Sequence, residues 1–126
     1  MRFPLATRYA DYDTKGHINN AVYFTYFEIA RDHAWIDGLG QSHDRSFILA
    51  EASVRYASEA MIGEPLDIEI TTADVRTRAW VWQYTIRRAG TDHVVAEGRT
   101  VQVMFDYDAR RTIPIPDDLR ERLSTL

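Results

Sequence analysis

The amino-acid sequence predicts an α+β domain in which an antiparallel β-sheet wraps around one long α-helix. Three observations support this prediction. A helical segment near the N-terminus is apolar around almost its whole circumference in its first half, so other structure must enclose it. Four later segments alternate between apolar and polar residues, as strands with one buried face do. The turns between them are too short for parallel crossovers, which need about a dozen residues each, so neighbouring strands are antiparallel.

A polar loop precedes the predicted helix. The first ten residues form the end of a strand and lead into the sequence DYDTKGH at residues 11–17, which indicates a loop with Gly16 at its tightest point. The helix is predicted from Asn19 or Asn20 to Asp37, with an asparagine at its N-cap and two glycines just past its C-terminus.

Four strands and a short helix complete the predicted order. The strands are expected at Phe47–Ala57, from Leu66 onward, around Trp80–Ile86 and over Val94–Phe105, and the helix at Pro116–Leu123. In the first of these strands, the residues expected on the apolar face are Ile48, Ala50, Ala52, Val54 and Tyr56. In the third strand, Trp80, Trp82 and Tyr84 share a face. Such a face is far more often core than a ligand platform, so we expect these three side chains to be buried.

Length, charge and cysteine content exclude several classes of protein. The 126 residues include 15 basic and 19 acidic side chains, for a net charge of −4, and 45% are hydrophobic. One domain over residues 1–126 is expected, because this length allows a single core but not a second full domain. The acidic balance argues against a nucleic-acid partner. Because the chain has no cysteine, disulfides, thiolate metal sites and a cysteine nucleophile are excluded.

The N-terminus and the hydropathy pattern predict where the protein works. The segment from Met1 to Leu5 lacks the apolar run of a signal peptide, and no segment approaches the ~18 apolar residues of a membrane span. We therefore expect a cytoplasmic protein with no membrane partner.

The densest group of chemically capable side chains lies between the first strand and the helix N-terminus. It consists of Asp11, Asp13, His17, Asn19 and Asn20. The first turn of a helix offers unpaired N–H groups and the positive end of the helix dipole, which stabilise an anion. A carboxylate beside them can attack an acyl group, or activate water to do so, while the N–H groups hold the developing oxyanion. The cluster therefore predicts an acyl-transfer site, and a metal site is disfavoured because only one histidine lies nearby.

These residues also carry a family resemblance. The sequence RYADYDTKGHINNAVY at residues 8–23, continued by YFEIAR at residues 26–31, resembles the opening motif of hotdog-fold acyl-CoA thioesterases. The similarity is to the branch of 4-hydroxybenzoyl-CoA thioesterase and, more distantly, to the plant acyl-carrier-protein thioesterases. It implies a hotdog fold along the chain and hydrolysis of an acyl thioester to the free acid and the thiol.

The resemblance assigns roles to individual residues of the loop and the helix start. Asp13 is implied to be the catalytic carboxylate, as nucleophile or general base, and the main-chain N–H of Asn20 to polarise the thioester carbonyl. His17 is implied to orient the loop or a water molecule in catalysis. Gly16, Asn19 and Tyr23 are implied to contact the substrate. No metal or redox cofactor is expected, and coenzyme A enters only as part of the substrate.

Each of these residues also has a purely structural interpretation. An aspartate such as Asp13 commonly closes an Asx-turn, and an asparagine at a helix start commonly caps the helix. His17 is as compatible with a structural hydrogen bond as with a functional one. Asp11 is expected to be a solvated or paired charge. Glu28 and Arg31 match the Phe-Glu-x-x-Arg pattern of the family, but they also lie three residues apart on the helix, where opposite charges pair, and we favour that structural role for them.

Two other functions remain as alternatives at this point. A hotdog hydratase or dehydratase is disfavoured because the motifs of those relatives place a proline near the histidine, whereas Ile18 follows His17 here. A non-catalytic module that binds acyl thioesters is disfavoured by the presence of Asp13. The resemblance further implies an acyl-CoA or acyl-carrier-protein thioester as substrate and a homodimer or homotetramer, because a single sheet leaves edge strands that need covering.

Overall fold

All strands of the protein belong to one antiparallel sheet, and the long helix lies across the face of that sheet that we call the inner face. The computed structural model describes residues 1–126. The strands are β1 (Arg2–Leu5), β2 (Phe47–Tyr56), β3 (Leu66–Val75), β4 (Ala79–Arg88), β5 (Val94–Asp106) and β6 (Arg111–Thr112), and the helices are α1 (Val22–His33) and α2 (Asp117–Leu123). Their order across the sheet is β1-β3-β4-β5-β2, with β6 paired to β5. The predicted α+β fold is confirmed, and β6 is the strand that the sequence does not predict.

The aromatic face of β4 forms the centre of the core, as predicted. Trp80, Trp82 and Tyr84 are all fully buried. The ring of Trp35, which follows α1, stacks nearly parallel to Trp80 with the ring centres 6.0 Å apart. These large apolar surfaces lie between the helix and the sheet, so burying them holds α1 in place.

Helix α1 lies close against the sheet at Gly98 of β5. The ring of Phe27 stacks on Tyr84 with the ring centres 4.6 Å apart, and it is fully buried. A Cβ atom built on Gly98 would lie 2.3 Å from the Phe27 ring. Only glycine therefore fits at this position, and the contact fixes the height of α1 above the sheet.

The start of α1 differs from the prediction. The helix begins at Val22 rather than at Asn19 or Asn20, and Ala21 occupies the N-cap without a side-chain hydrogen bond. The predicted asparagine N-cap is wrong, because Asn19 closes a separate turn before the helix: its Oδ1 accepts the N–H of Ala21 at 3.0 Å. At the other end, α1 continues as one wider π-helical turn over Ala34–Gly38, so the predicted end at Asp37 is nearly correct.

Strand β2 contains a β-bulge that corrects the predicted faces. Its register against β5 shifts between Leu49 and Glu51, which leaves Ala50 as the extra residue. The bulge reverses the alternation, so Ile48 lies on the opposite face from Val54, and Leu49 takes the inner position instead. β2 is also an edge strand, and most of its side chains are exposed, including Leu49 at 46%. The prediction of a strand with one buried face is therefore wrong for most of β2.

No helix of the structure combines the length and the apolar character that crossing a membrane requires.

Candidate active site

A cavity of about 280 Å³ lies where the N-terminus of α1, the loop before it and the end of β2 meet. The residues that line it are Asp13, His17, Ile18, Asn20, Tyr23, Tyr56, Ala57, Ser58, Glu59 and Ala60. Four of the six predicted site residues are among them. Gly16 and Asn19 are not lining residues, and they shape the loop instead.

The carboxylate of Asp13 is held at one oxygen and free at the other. Its Oδ1 accepts the main-chain N–H of Lys15 at 2.9 Å and that of His17 at 3.1 Å, whereas Oδ2 has no hydrogen-bond partner in the chain. The hydrogen bond from the His17 N–H, with further help from Lys15, lowers the pKa of Asp13 below its ordinary value. The Asx-turn predicted as an alternative is therefore present, and it orients an ionised carboxylate that still has one oxygen available.

Gly16 closes the loop that carries Asp13. Its φ of 76° lies in the left-handed region, which favours glycine, and its N–H donates to the Asp13 carbonyl at 3.1 Å. The Asp13 N–H in turn donates to the His17 carbonyl at 2.7 Å. These bonds make a tight loop whose shape depends on the main chain more than on the side chains.

The buried carboxylate of Asp11 ties the loop to the body of the protein. Asp11 is 1% exposed and accepts hydrogen bonds from the main chain and the guanidinium of Arg8 and, at 2.8 Å, from the hydroxyl of Tyr26 on α1. Burial acts to raise the pKa of Asp11, but these hydrogen bonds outweigh it, and the pKa is lowered. Asp11 is thus the paired charge that the sequence allowed, with a structural role.

The helix start offers an unpaired N–H group to the cavity. The Asn20 N–H donates to no acceptor of the chain, whereas the N–H groups of Asn19, Ala21 and Val22 are all bonded. The carbonyl of Asn20 accepts the hydroxyl of Tyr56 at 2.8 Å, which fixes this peptide against the end of β2. A substrate oxygen in the cavity can therefore receive a hydrogen bond here at the positive end of the helix.

Tyr23 is the aromatic wall of the cavity. Its ring packs edge-on against Tyr56, with the ring centres 5.3 Å apart, and it is almost fully buried. Burial raises the pKa of Tyr23 to about 12, so the phenol stays neutral at physiological pH. A neutral phenol can donate a hydrogen bond to a bound acyl group.

His17 pairs with a residue that the sequence did not single out. Its Nε2 lies 3.3 Å from a carboxylate oxygen of Glu59, which also lines the cavity. The pair places a second carboxylate in the cavity that Asp13 lines, and it orients the imidazole. Tyr56, Ser58 and Glu59 lie well after the motif along the chain, and no local pattern in the sequence marks them.

The remaining predicted chemistry concerns metal ions. No group of three or more histidine, cysteine, aspartate or glutamate side chains is placed to hold one.

Comparison with known proteins decides the family. A family model described as the thioesterase-like superfamily matches residues 7–123. The chain belongs to this superfamily. Its membership confirms the predicted family and the predicted class of activity, thioester hydrolysis.

Individual relatives of this thioesterase-like protein have modest sequence identity and very similar folds. The long-chain acyl-CoA thioesterase FadM of Escherichia coli K12 is 24% identical over 100% of this chain and 98% of that protein. A thioesterase from Thermus thermophilus, solved with coenzyme A and Zn, is 26% identical with a TM-score of 0.86, covering 98% of this chain and 91% of that one. A protein from Pseudomonas aeruginosa PAO1 has a TM-score of 0.91 at 24% identity, covering 100% of this chain and 90% of that one. The predicted hotdog fold is confirmed by these structures.

Proposed function

We propose that this thioesterase-like protein hydrolyses acyl-CoA thioesters to a free carboxylic acid and coenzyme A, with Asp13 as the catalytic carboxylate. One observation carries the proposal: Asp13, whose Oδ2 is free, and Asn20, whose main-chain N–H is unpaired, line the same cavity. An attacking oxygen and a donor for the developing oxyanion are the two groups that thioester hydrolysis needs.

The reaction can follow two routes from this geometry. In the first, Oδ2 of Asp13 attacks the thioester carbon, the carbonyl oxygen becomes an oxyanion near the Asn20 N–H, and the thiolate leaves to give a mixed anhydride that water hydrolyses. In the second, Asp13 takes a proton from a water molecule that attacks the same carbon. The lowered pKa of Asp13 keeps the carboxylate ionised, as both routes require.

Coenzyme A is the thiol that the comparisons favour. FadM of Escherichia coli is named an acyl-CoA thioesterase, and the Thermus thermophilus thioesterase was solved with coenzyme A. An acyl-carrier-protein thioester is the other substrate that the motif allows, and a direct comparison of the two separates them.

We also propose a homodimer in which two β2 strands pair antiparallel, with a tetramer as the larger possibility. β2 is an open edge of the sheet. Glu51, Ser53 and Arg55 share its outer face, so pairing two copies around Ser53 would set each Glu51 opposite an Arg55. Tyr56 lies near this edge, so the active sites would lie close to the subunit interface.

The test is a comparison of substrates with the wild-type protein. Thiol release is followed for short, long and aromatic acyl-CoAs and for an acyl-carrier-protein thioester, and enoyl-CoA hydration is measured in parallel. Turnover of one or more acyl-CoAs without hydration is the expected result. Hydration without thiol release would identify a hydratase, and binding of acyl-CoA without turnover would identify a binding module.

The two routes are separated by one turnover in ¹⁸O-labelled water with enzyme in excess. If Asp13 is the nucleophile and water attacks the Asp13 carbonyl of the anhydride, the label enters the Asp13 carboxylate and the first acid released carries none. If Asp13 is the general base, the first acid released carries the label and Asp13 carries none, so label in Asp13 is the result that identifies the nucleophile.

A further inference from the structure

The nucleophile route leaves its second step without an evident base. Once Oδ2 of Asp13 has attacked, this oxygen is bonded to the acyl carbon, and Oδ1 is held by the main-chain N–H groups of Lys15 and His17. Asp13 therefore cannot take a proton from the water molecule that must hydrolyse the mixed anhydride. Because water attacks faster when a base removes its proton, another side chain of the cavity is expected to serve as that base.

Few side chains of the cavity can accept a proton. Burial raises the pKa of Tyr23 to about 12, so its phenol is neutral at physiological pH. The hydroxyls of Tyr56 and Ser58 each donate to a main-chain carbonyl, at 2.8 and 2.9 Å. Neutral hydroxyl groups are poor proton acceptors at this pH. With the nucleophile bonded to the acyl group, the lining residues that remain as bases are His17 and Glu59.

The pair of His17 and Glu59 offers its base on the imidazole. Nε2 of His17 lies 3.3 Å from Oε2 of Glu59. A carboxylate this close favours the tautomer with the proton on Nε2, which leaves a free lone pair on Nδ1. Nδ1 has no hydrogen-bond partner in the chain. Near neutral pH an imidazole is a stronger base than a carboxylate, so Nδ1 is the better proton acceptor of the two groups.

The main chain fixes both members of the pair. His17 and Met61 form an antiparallel bridge, and the N–H of Ile18 donates to the carbonyl of Ala60 at 3.1 Å. Glu59 immediately precedes Ala60, so its side chain starts from a held position. The main-chain N–H of the same histidine also holds the nucleophile, at 3.1 Å. The imidazole, its carboxylate and the site of the anhydride therefore belong to one hydrogen-bonded unit.

We propose that Glu59 is a positioning residue that holds the His17 imidazole as the general base for hydrolysis of the mixed anhydride. This role rests on the proposed function and, within it, on attack by Asp13. The oxygen of a water molecule bonds to a carbonyl carbon of the anhydride while one proton of that water passes to Nδ1 of His17. The bond between this carbon and the bridging oxygen breaks, and its electron pair stays on the bridging oxygen. One carboxylate and one carboxylic acid result, and His17 then gives its proton to solvent.

This division of roles predicts that changing Glu59 slows only the second step. The thiol leaves in the first step, so thiol release and acid release are measured separately, in single turnovers of an acyl-CoA with enzyme in excess. Acid release should lag behind thiol release by roughly 10-fold in Glu59→Gln and by about 10²-fold in His17→Gln. Protein quenched between the two events should carry the mass of the acyl group. In steady state, kcat and KM should fall together while kcat/KM is unchanged.

A double variant and an unfolding measurement separate this role from others. Adding Glu59→Gln to His17→Gln should slow acid release no further, because Glu59 acts through the imidazole. The side chain of Glu59 is 69% exposed, so its pairing with His17 adds little to stability. Glu59→Gln should therefore unfold at the same temperature as wild type.

Two controls remove a carboxylate outside the cavity. Asp37→Asn is matched to the pair, because Asp37 lies 3.0 Å from the ring of His33 and both side chains are exposed. Glu28→Gln makes the same substitution in an exposed glutamate of α1. The Glu28 carboxylate lies 3.6 Å from Arg45, so the pairing with Arg31 that the sequence favoured is wrong. In both controls, thiol and acid release should follow the wild-type time course.

Failure of the inference and failure of the proposed function give different results. If acid release keeps pace with thiol release in both Glu59→Gln and His17→Gln, the inference is wrong and the proposed function stands. A lower kcat/KM together with a lower unfolding temperature of Glu59→Gln would show a structural role, and further slowing in the double variant would show an independent base. Either result overturns the inference. If wild type releases thiol from no acyl-CoA, the proposed function is wrong and the inference falls with it.

Discussion

The contact between Phe27 and Gly98 makes Gly98→Ala the most informative stability variant. The new methyl group would lie 2.3 Å from the ring, far inside an ordinary contact of 3.4 Å or more. The ring cannot turn away, because it is fully buried and stacked on Tyr84. Helix α1 must therefore shift, or the ring must leave its preferred rotamer.

The expected cost follows from this geometry. Overpacking a closely packed core costs about 1–3 kcal/mol, and a clash this short between rigid groups belongs at the upper end, about 3 kcal/mol. For a domain of 126 residues, a loss of about 3 kcal/mol corresponds to a fall in Tm of roughly 10 °C. Because Asn20 lies two residues before the start of α1, a shift of the helix should also displace the Asn20 N–H and lower kcat.

The assay is urea unfolding of Gly98→Ala, Phe27→Leu and the double variant, at one protein concentration so that any oligomerisation is held constant. The smaller side chain at position 27 should make room for the methyl group. The free energy of unfolding of the double variant should therefore fall by less than the sum of the decreases in the two single variants. If Gly98→Ala is as stable as wild type within about 0.5 kcal/mol, or if the two losses simply add, the close packing of α1 on β5 is refuted.

Three further predictions concern the loop, the pH profile and the edge strand. Tyr26→Phe removes the hydroxyl that donates to the buried carboxylate of Asp11 and should cost about 2 kcal/mol in urea unfolding; an unchanged midpoint would show that the bond does not hold the loop. Because the pKa of Asp13 is lowered, its active ionised form persists on acidification, so kcat/KM should stay level from about pH 7 to about pH 5; a fall with an apparent pKa near 6 would assign catalysis to another group. Ser53→Cys, the only thiol in its chain, should form a disulfide-linked dimer on a non-reducing gel, whereas Arg55→Cys should not, and the reverse pattern would contradict pairing around Ser53.

The fold was predictable where side-chain size and alternation agree. In β4, large residues stand at alternate positions from Trp80 to Ile86, so only one face of this strand can point to the core. All of these residues are buried in the structure. In β2 the segment around the bulge contains Ala50 and Ala52, which fit either face, so the sequence does not show that the alternation reverses there. Alternation also cannot reveal that β2 lies at the edge, since sheet order depends on contacts between distant segments.

The residues of the candidate site were predictable only where they lie close together in the sequence. Asp13, His17, Asn20 and Tyr23 fall within eleven residues, and their motif identified them. Glu59 reaches the cavity from the end of β2, and its partnership with His17 depends on tertiary packing. The cytoplasmic location of the protein and its assembly into a dimer stay predictions.

The most direct test of the central claim is the rate of acyl-CoA hydrolysis by Asp13→Asn. The matched control is Asp74→Asn, which changes an exposed aspartate of β3 away from the cavity. We predict that Asp13→Asn lowers kcat on the order of 10²- to 10⁴-fold with the fold intact, whereas Asp74→Asn leaves it unchanged. An Asp13→Asn protein that hydrolyses the same acyl-CoA as fast as wild type would contradict the account.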